Sequence, residues 1–113
     1  IWAWRKDVWF LVNLWGIHPS RINLGIGYFS KKHKNGVLSE PSWRSLSVHC
    51  PNIEYNSNIC DNVVFVGKKM NHDIGALIKQ KDLGGAFPWE LSYDSYKNNN
   101  TLVKHLVDGL ISP

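Results

Sequence analysis

The sequence predicts an α/β fold with parallel strands that forms one part of a larger barrel. Residues 22–29 and 86–91 have strand composition, and each is followed along the chain by a helical pattern, as in parallel α/β architecture. Both strands are suited to burial on two faces, which requires neighbouring strands on both sides. Because two strands cannot supply those neighbours, the chain by itself is an incomplete fold. A small self-contained α+β domain held by a disulfide is the alternative.

Composition fits one globular unit and excludes several classes of partner. The 113 residues are enough for one domain with its own core. The formal net charge is +4, but the cations are scattered apart from the cluster at 31–34, which we interpret as a solvated loop. No nucleic-acid motif is present, so we expect no nucleic-acid partner. No apolar stretch approaches the roughly 20 residues that cross a bilayer, so no membrane span is expected.

The first predicted element is a helix over residues 7–15, in which apolar residues recur at helical spacing. Asp7 occupies a position suited to an N-cap or a first-turn acid. Gly16 is the predicted stop. The apolar residues of this pattern are Val8, Leu11, Val12 and Trp15.

The first predicted strand covers residues 22–29. Ile22, Leu24 and Ile26 alternate with small or polar residues, so one face of this strand has no room for large side chains.

Residues 30–62 have no clear period and are predicted to form a long excursion with one short helix at about 42–47. Excursions of this length are usually functional or belong to an inserted subdomain. Cys50 and Cys60 bracket a polar, turn-rich stretch, which fits a local disulfide worth about 2–3 kcal/mol. Two free buried thiols are the alternative.

Two features favour a secreted, extracellular protein. One is the proposed disulfide, and the other is the triplet Asn99-Asn100-Thr101, which makes Asn99 a candidate for N-glycosylation. The chain starts without methionine, so we expect a cut end, with any targeting segment lying upstream.

The second half of the chain predicts helix, strand and helix. A short apolar run at 63–66 leads into a helix whose apolar face recurs at helical spacing. Two glycines then open the strand at 86–91, where Pro88 restricts the strand to an edge, an end or irregular pairing. A last helix starts at about Thr101, and Gly109 lies near its end. The inward residues of the two helices are Met70, Ile74, Leu77 and Ile78, then Leu102, Val103, Leu106, Val107 and Leu110.

The five histidines show no spacing typical of metal ligands, so we expect neither a metal nor a cofactor. They are His18, His33, His49, His72 and His105.

The stretch Gly84-Gly85-Ala86-Phe87-Pro88-Trp89-Glu90-Leu91 resembles the eighth and final strand of family 18 glycoside hydrolases, the chitinase family. Residues 22–29 look like the seventh strand of the same barrel, and that family often carries an inserted subdomain between these strands. The resemblance therefore implies that residues 1–113 are the C-terminal portion of a TIM (β/α)8 barrel. This portion would contain the last two strand–helix units and an insertion at about 30–62.

Three further features are similar to fungal secreted chitinases and to the chitinase-like subunit of yeast killer toxins. They are the stretch 39–43, the cysteine pair Cys50 and Cys60, and Phe87-Pro88-Trp89 followed by Tyr93-Asp94.

The chain departs from the family pattern in three places. Gly27 stands where proline is usual, and Ser30-Lys31 stand where glycine and arginine are usual. The family's catalytic signature, a run of aspartates ending in a glutamate, is absent. No catalytic residue is therefore assigned, and the resemblance implies enzymatic activity only for a longer parent protein.

The resemblance implies a function in binding or hydrolysing β-1,4-linked N-acetylglucosamine, with retention and with the substrate's acetamido oxygen as nucleophile. Trp89 would form the apolar floor beneath a sugar ring, at the end of a strand where barrel enzymes place function. Glu90, on the opposite side of the strand, is interpreted as structural. Candidates to line the same cleft are Tyr28, Phe29, Tyr93 and Asp94, with packing as the alternative for the first two and a turn role as the alternative for Asp94.

The implied partners are chitin or a chitooligosaccharide, and the remaining N-terminal part of the barrel or a companion chain. Two alternatives stay open. One is a segment of a non-catalytic chitin-binding or killer-toxin subunit, and the other is a stand-alone tryptophan-rich binding module.

Overall fold

A computed structural model describes residues 1–112, with the side chains of residues 33, 34 and 98 left out. The helices are α1 (Trp2–Asn13), α2 (Trp43–His49), α3 (Lys68–Lys81) and α4 (Leu102–Ile111). The strands are β1 (Asn23–Gly27), β2 (Lys32–Lys34), β3 (Val37–Ser39), β4 (Ile59–Cys60), β5 (Val63–Val64) and β6 (Gly85–Trp89). Short 3-10 turns cover Pro19–Arg21, Leu91–Tyr93 and Asn98–Asn100. Over residues 1–112, no helix has the length and apolar character needed to span a bilayer.

The central pairing joins β1 and β6 in parallel, as the sequence predicts. The register runs from Asn23 opposite Gly85 to Gly27 opposite Trp89. The predicted strand at 86–91 extends too far, because the chain leaves the sheet after Trp89 and enters a 3-10 turn. Two short antiparallel hairpins, β2–β3 and β4–β5, lie between the two parallel strands in sequence.

Helix α1 begins earlier than its sequence pattern suggests. It starts at Trp2, so Asp7 lies in the middle of the helix and is not an N-cap. Trp4 packs against the core together with Val8, Leu11 and Val12, which extends the apolar face by one turn toward the N-terminus. The helix ends at Asn13, and Gly16 adopts a left-handed backbone with φ +67°, which agrees with the predicted stop.

The core lies between one face of the β1–β6 sheet and helices α3 and α4. Leu24 and Ile26 of β1 are buried in the same cluster as the apolar faces of the two helices. The helices cross closely at two glycines, since a Cβ on Gly75 would overlap the Leu106 carbonyl oxygen and one on Gly109 would overlap the His72 carbonyl oxygen. Gly75 and Gly109 therefore have a packing role, which for Gly109 adds to the helix-end role expected from the sequence.

The excursion contains the predicted disulfide and a helix close to the predicted one. Cys50 and Cys60 are bonded with an S–S distance of 2.00 Å and a Cα–Cα distance of 6.2 Å, so the alternative of two free thiols is wrong. The bond joins the end of α2 to β4. Trp43, the first residue of α2, is buried and stacks on Phe65 with ring centroids 4.6 Å apart.

Candidate functional site

The candidate site is the face of the β1–β6 sheet that is turned away from the core. Side chains alternate along a strand, so the residues neighbouring Leu24 and Ile26 point to this second face. On β6 this face carries Phe87 and Trp89, which are 56% and 62% exposed. Two large aromatic side chains therefore lie side by side on an open surface.

Glycines on β1 make room for these rings. Gly25 and Gly27 are the partners of Phe87 and Trp89 in the parallel register. A Cβ on Gly25 would lie 2.9 Å from the Phe87 ring, and a Cβ on Gly27 would lie 3.1 Å from the ring of Phe29. On the open face, the backbone of Gly25 and Gly27 is therefore flanked by three aromatic rings, from Phe29, Phe87 and Trp89.

Trp89 projects to solvent because side-chain alternation places it on the same face of β6 as Phe87, away from the core. Within residues 1–112 its side chain is exposed and does not lie in the core. The Tyr28 amide donates to the Trp89 carbonyl oxygen at 3.0 Å, so Pro88 directs its nitrogen to the unpaired edge of β6, where no N–H is needed. Glu90 follows across a cis peptide bond, is half-buried and accepts a hydrogen bond from the Ser92 hydroxyl.

Tyr28 lies in the core, and not on the open face. It is 1% exposed, and its hydroxyl donates to Asn71 Oδ1 at 2.8 Å. Burial, and to a lesser extent the charge of Asp94, raises the pKa of Tyr28 well above its usual range. The packing alternative therefore describes Tyr28 in this structure, because a neutral, hydrogen-bonded phenol beneath the sheet is not placed to touch a ligand above it.

Asp94 serves the start of α4. It is 5% exposed, and its carboxylate accepts from the backbone N–H groups of Leu102 at 2.8 Å and Val103 at 2.9 Å. It also accepts from the Ser95 N–H at 2.8 Å. The N–H groups of Leu102 and Val103 lie in the first turn of α4, where a helix leaves them without an intrahelical partner, so Asp94 has a capping role.

The structure thus does not bring all the predicted cleft residues together. Trp89 and Phe29 share the open face, whereas Tyr28 and Asp94 are buried, and Tyr93 is half-buried in the turn after β6. Asn99 is exposed, and its glycosylation stays a prediction. The sequence interpretation missed Phe87 as a surface residue, although its spacing of two from Trp89 is the signal that places both on one face.

One group of potential metal ligands comes together among the described residues, formed by Cys50, Cys60 and Asp61. The two sulfurs are bonded to each other, so neither thiolate is free to bind a metal.

Comparisons of structure place this geometry in a known fold. The chain is similar to a chitinase from Bacteroides thetaiotaomicron, with a TM-score of 0.78 and 16% identity over 94% of this chain and 37% of that chain. It is also similar to the GH18 chitinase ChiB from the chitin utilization locus of Flavobacterium johnsoniae, with a TM-score of 0.76 and 13% identity over 93% of this chain and 33% of that chain. No protein-family model and no curated protein matches the sequence.

The chain spans about a third of the length of each of these two chitinases. At such low identity the similarity shows the fold. The chain has the mixed α/β fold of the C-terminal portion of a family 18 glycoside hydrolase barrel.

Proposed function

We propose that this chain is the sugar-binding C-terminal part of a chitinase-like glycoside hydrolase, and that its open sheet face binds β-1,4-linked N-acetylglucosamine. The observation that carries the proposal is the exposed Trp89 at the C-terminal end of the final strand, in a fold shared with two chitinases. Barrel enzymes place their ligands at this end of their strands.

The chemistry of the open face fits a sugar ring. An indole offers a flat apolar surface to the C–H face of a pyranose, and the glycines of β1 leave space beside it. Hydrolysis would also need a general acid and a carboxylate that holds the acetamido group. The residues of this chain supply the aromatic floor, and we propose that the acidic residues come from the remaining part of the barrel or from a companion chain.

Exposed backbone and side chains support the proposed partnership with further barrel strands. The backbone N–H and C=O groups of β1 that point away from β6 belong to Asn23, Gly25 and Gly27, and no other strand within residues 1–112 pairs with this edge. The Trp4 indole donates to the Gly25 carbonyl oxygen at 3.3 Å along this edge. A neighbouring strand would pair this edge and enclose the open face.

We propose as a second function that the cleft binds chitin without cleaving it, which is what the sequence resemblance to fungal secreted chitinases and killer-toxin subunits implies. The disulfide favours an extracellular protein in either case. Measuring release of reducing sugar from chitin by the protein distinguishes hydrolysis from binding alone.

Replacing Trp89 with alanine tests the proposed site directly. We expect Trp89→Ala to weaken binding of N-acetylglucosamine tetramers by about tenfold or more, since a stacking surface is lost. Isothermal titration measures the effect. Trp15→Ala is the matched control, because Trp15 is also exposed but follows α1, outside the sheet. Equal affinity of Trp89→Ala and the unaltered protein, or no binding by the unaltered protein, would contradict the proposal.

A further inference from the structure

A cavity of about 290 Å³ lies between α2 and the segment that follows β6. Its first wall consists of Arg44, Ser47 and Val48 of α2 together with Pro51, and its second wall consists of residues 95–97. None of these residues belongs to β1 or β6, so the cavity does not depend on the unpaired edges of the sheet. Its volume suits one small molecule.

Arg44 is held in place at this cavity before any ligand arrives. Its Nη1 donates to the Tyr96 hydroxyl oxygen at 2.8 Å, and its guanidinium carbon lies 5.0 Å from the centre of the Tyr96 ring. A cation at this distance is attracted to the face of the ring. The Nε and Nη2 groups of Arg44 have no acceptor among the residues that the structure describes. The guanidinium is therefore positioned and still has donors to offer a ligand.

Ser95 adds a buried donor to the cavity. It is 5% exposed, and its Oγ accepts from the Lys97 N–H at 3.1 Å, but its own O–H has no acceptor within the described part of the chain. Ser47 lines the same cavity and is buried to the same extent, yet its hydroxyl donates to the Arg44 carbonyl oxygen at 2.8 Å. Leaving a buried donor unpaired is unfavourable, and an acceptor on a ligand would pair the Ser95 hydroxyl.

The charged side chains that line the cavity are both cations, Arg44 and Lys97. The nearest carboxylate in sequence, Asp94, is buried and accepts from backbone N–H groups, including those at the start of α4. It does not line the cavity. Two cations beside an unpaired hydroxyl donor, with no carboxylate among the described lining residues, favour an anionic group on the ligand.

An apolar surface lies beside these donors. The side chains of Tyr96 and Val48 are 77% and 71% exposed, so an aromatic ring and an aliphatic group remain open to a ligand. A flat aromatic ring packs well against the C–H face of a sugar ring. A ligand that satisfies both parts of the cavity therefore has one acidic group and one apolar ring face.

We propose that this cavity binds an anionic monosaccharide, whose carboxylate or phosphate accepts hydrogen bonds from Arg44, Lys97 and Ser95. Its ring rests on Tyr96 and Val48. A uronic acid and a sugar phosphate share this chemistry. The inference goes beyond the proposed function, because the cavity shares no residue with the open face and takes a ligand of different charge.

Titration of the protein with D-glucuronate and glucose 6-phosphate, followed by ligand-observed NMR at low salt, tests the proposal. We expect at least one of the two anions to bind with a millimolar dissociation constant, and the comparison shows whether the cavity prefers carboxylate or phosphate. Neutral glucose should bind about tenfold more weakly, because it lacks the charge. Acetate should also bind about tenfold more weakly, because it lacks the ring. High salt should weaken binding of both anionic sugars.

Two matched pairs of variants assign the donors. Arg44→Gln should weaken binding of the better anion about tenfold or more, whereas Arg21→Gln, at an exposed position outside the cavity, should leave it unchanged. Ser95→Ala should weaken binding about threefold to tenfold. Ser47→Ala should leave the affinity unchanged, since the Ser47 proton is already paired within the protein.

Two further variants keep the test decisive if Arg44→Gln does not fold. Lys97→Gln removes a cation at an exposed position and should weaken binding about threefold. Tyr96→Phe keeps the ring but removes the hydroxyl that holds Nη1 of Arg44, and it should weaken binding about twofold to fivefold.

The outcomes are distinguishable from those of the proposed function. The anion site is overturned if glucose binds as tightly as both anions, or if Arg44→Gln and Lys97→Gln bind as the unaltered protein does. Acetate binding as tight as that of the anionic sugars overturns the sugar as ligand. Trp89→Ala should leave binding of the anionic sugars unchanged. A protein that binds them but no N-acetylglucosamine tetramer would overturn the proposed function alone.

Discussion

At the scale of single residues, two aromatic residues that are hydrogen-bonded across the ends of the paired strands lie in opposite environments. Trp89 is exposed on the open face, whereas Tyr28, hydrogen-bonded to it through the backbone, has its side chain in the core. Both residues are aromatic, and Trp89 is the last residue of β6 while Tyr28 directly follows β1, so residue type alone does not distinguish them. Their difference follows from the alternation of side chains, which sends Tyr28 toward Asn71 and Trp89 toward solvent.

Asp94 gives a prediction at this scale. Replacing its carboxylate with an amide removes one acceptor oxygen from the start of α4, so Asp94→Asn should lower the free energy of unfolding by about 1–3 kcal/mol. Urea unfolding measures the change. Glu40→Gln, the same chemical change at an exposed residue, should stay within about 0.5 kcal/mol of the unaltered protein. A loss no larger than that of Glu40→Gln would refute the capping role.

At the scale of elements, the crossing of α3 and α4 fixes the layer beneath the sheet. Ile74 and Leu77 of α3 pack with Leu102 and Leu106 of α4 in the buried cluster that also contains Leu24 and Ile26. The helices can approach closely because Gly75 and Gly109 present no side chain where backbones meet. The strand residues Leu24 and Ile26 therefore rest on a layer whose thickness depends on this close approach.

Gly109→Ala tests the helix crossing. Alanine favours helix over glycine by about 1 kcal/mol, but its methyl group would overlap the His72 carbonyl oxygen. We expect a net loss of about 1–3 kcal/mol in the free energy of unfolding, because α3 and α4 must separate. Lys104→Ala, at an exposed position on the same helix, should change stability by less than about 0.5 kcal/mol. A stabilised Gly109→Ala variant would show that helix propensity dominates and that the crossing is loose.

At the scale of the whole molecule, the sheet has two strands and leaves both its outer edges unpaired by other strands within residues 1–112. Tyr28 points its N–H toward β6, so the N–H groups of Leu24 and Ile26 point the same way and those of Gly25 and Gly27 point to the free edge. The aromatic face above these residues is also open. Both features fit a barrel segment that lacks its neighbours.

Amide hydrogen exchange measures whether the N–H groups at the free edge of β1 are hydrogen-bonded. In the chain of residues 1–113 alone, the amides of Gly25 and Gly27 should exchange much faster than those of Leu24 and Ile26. In a longer protein that supplies the neighbouring strand, the two glycine amides should become protected. Equal protection of all four amides in the chain alone, with a sharp cooperative thermal transition, would instead favour the stand-alone tryptophan-rich module.

The sequence by itself determined the order of the four helices and the two main strands, and the parallel pairing of those strands, but not the hairpins β2–β3 and β4–β5. These features follow from local periodicity, from glycine and proline positions, and from the strand–helix alternation, all of which act over short stretches of chain. The disulfide was also predictable, because Cys50 and Cys60 are the only two cysteines and flank a polar, turn-rich stretch.

Only the tertiary structure decided which aromatic and acidic side chains reach the surface. It placed Tyr28 and Asp94 in the core, assigned Gly75 and Gly109 to a helix crossing, and brought Arg44 onto Tyr96 beside a cavity. Each of these outcomes depends on contacts between residues far apart in sequence, such as Tyr28 with Asn71. Local sequence patterns carry no information about such contacts, because their energy arises only when the elements pack together.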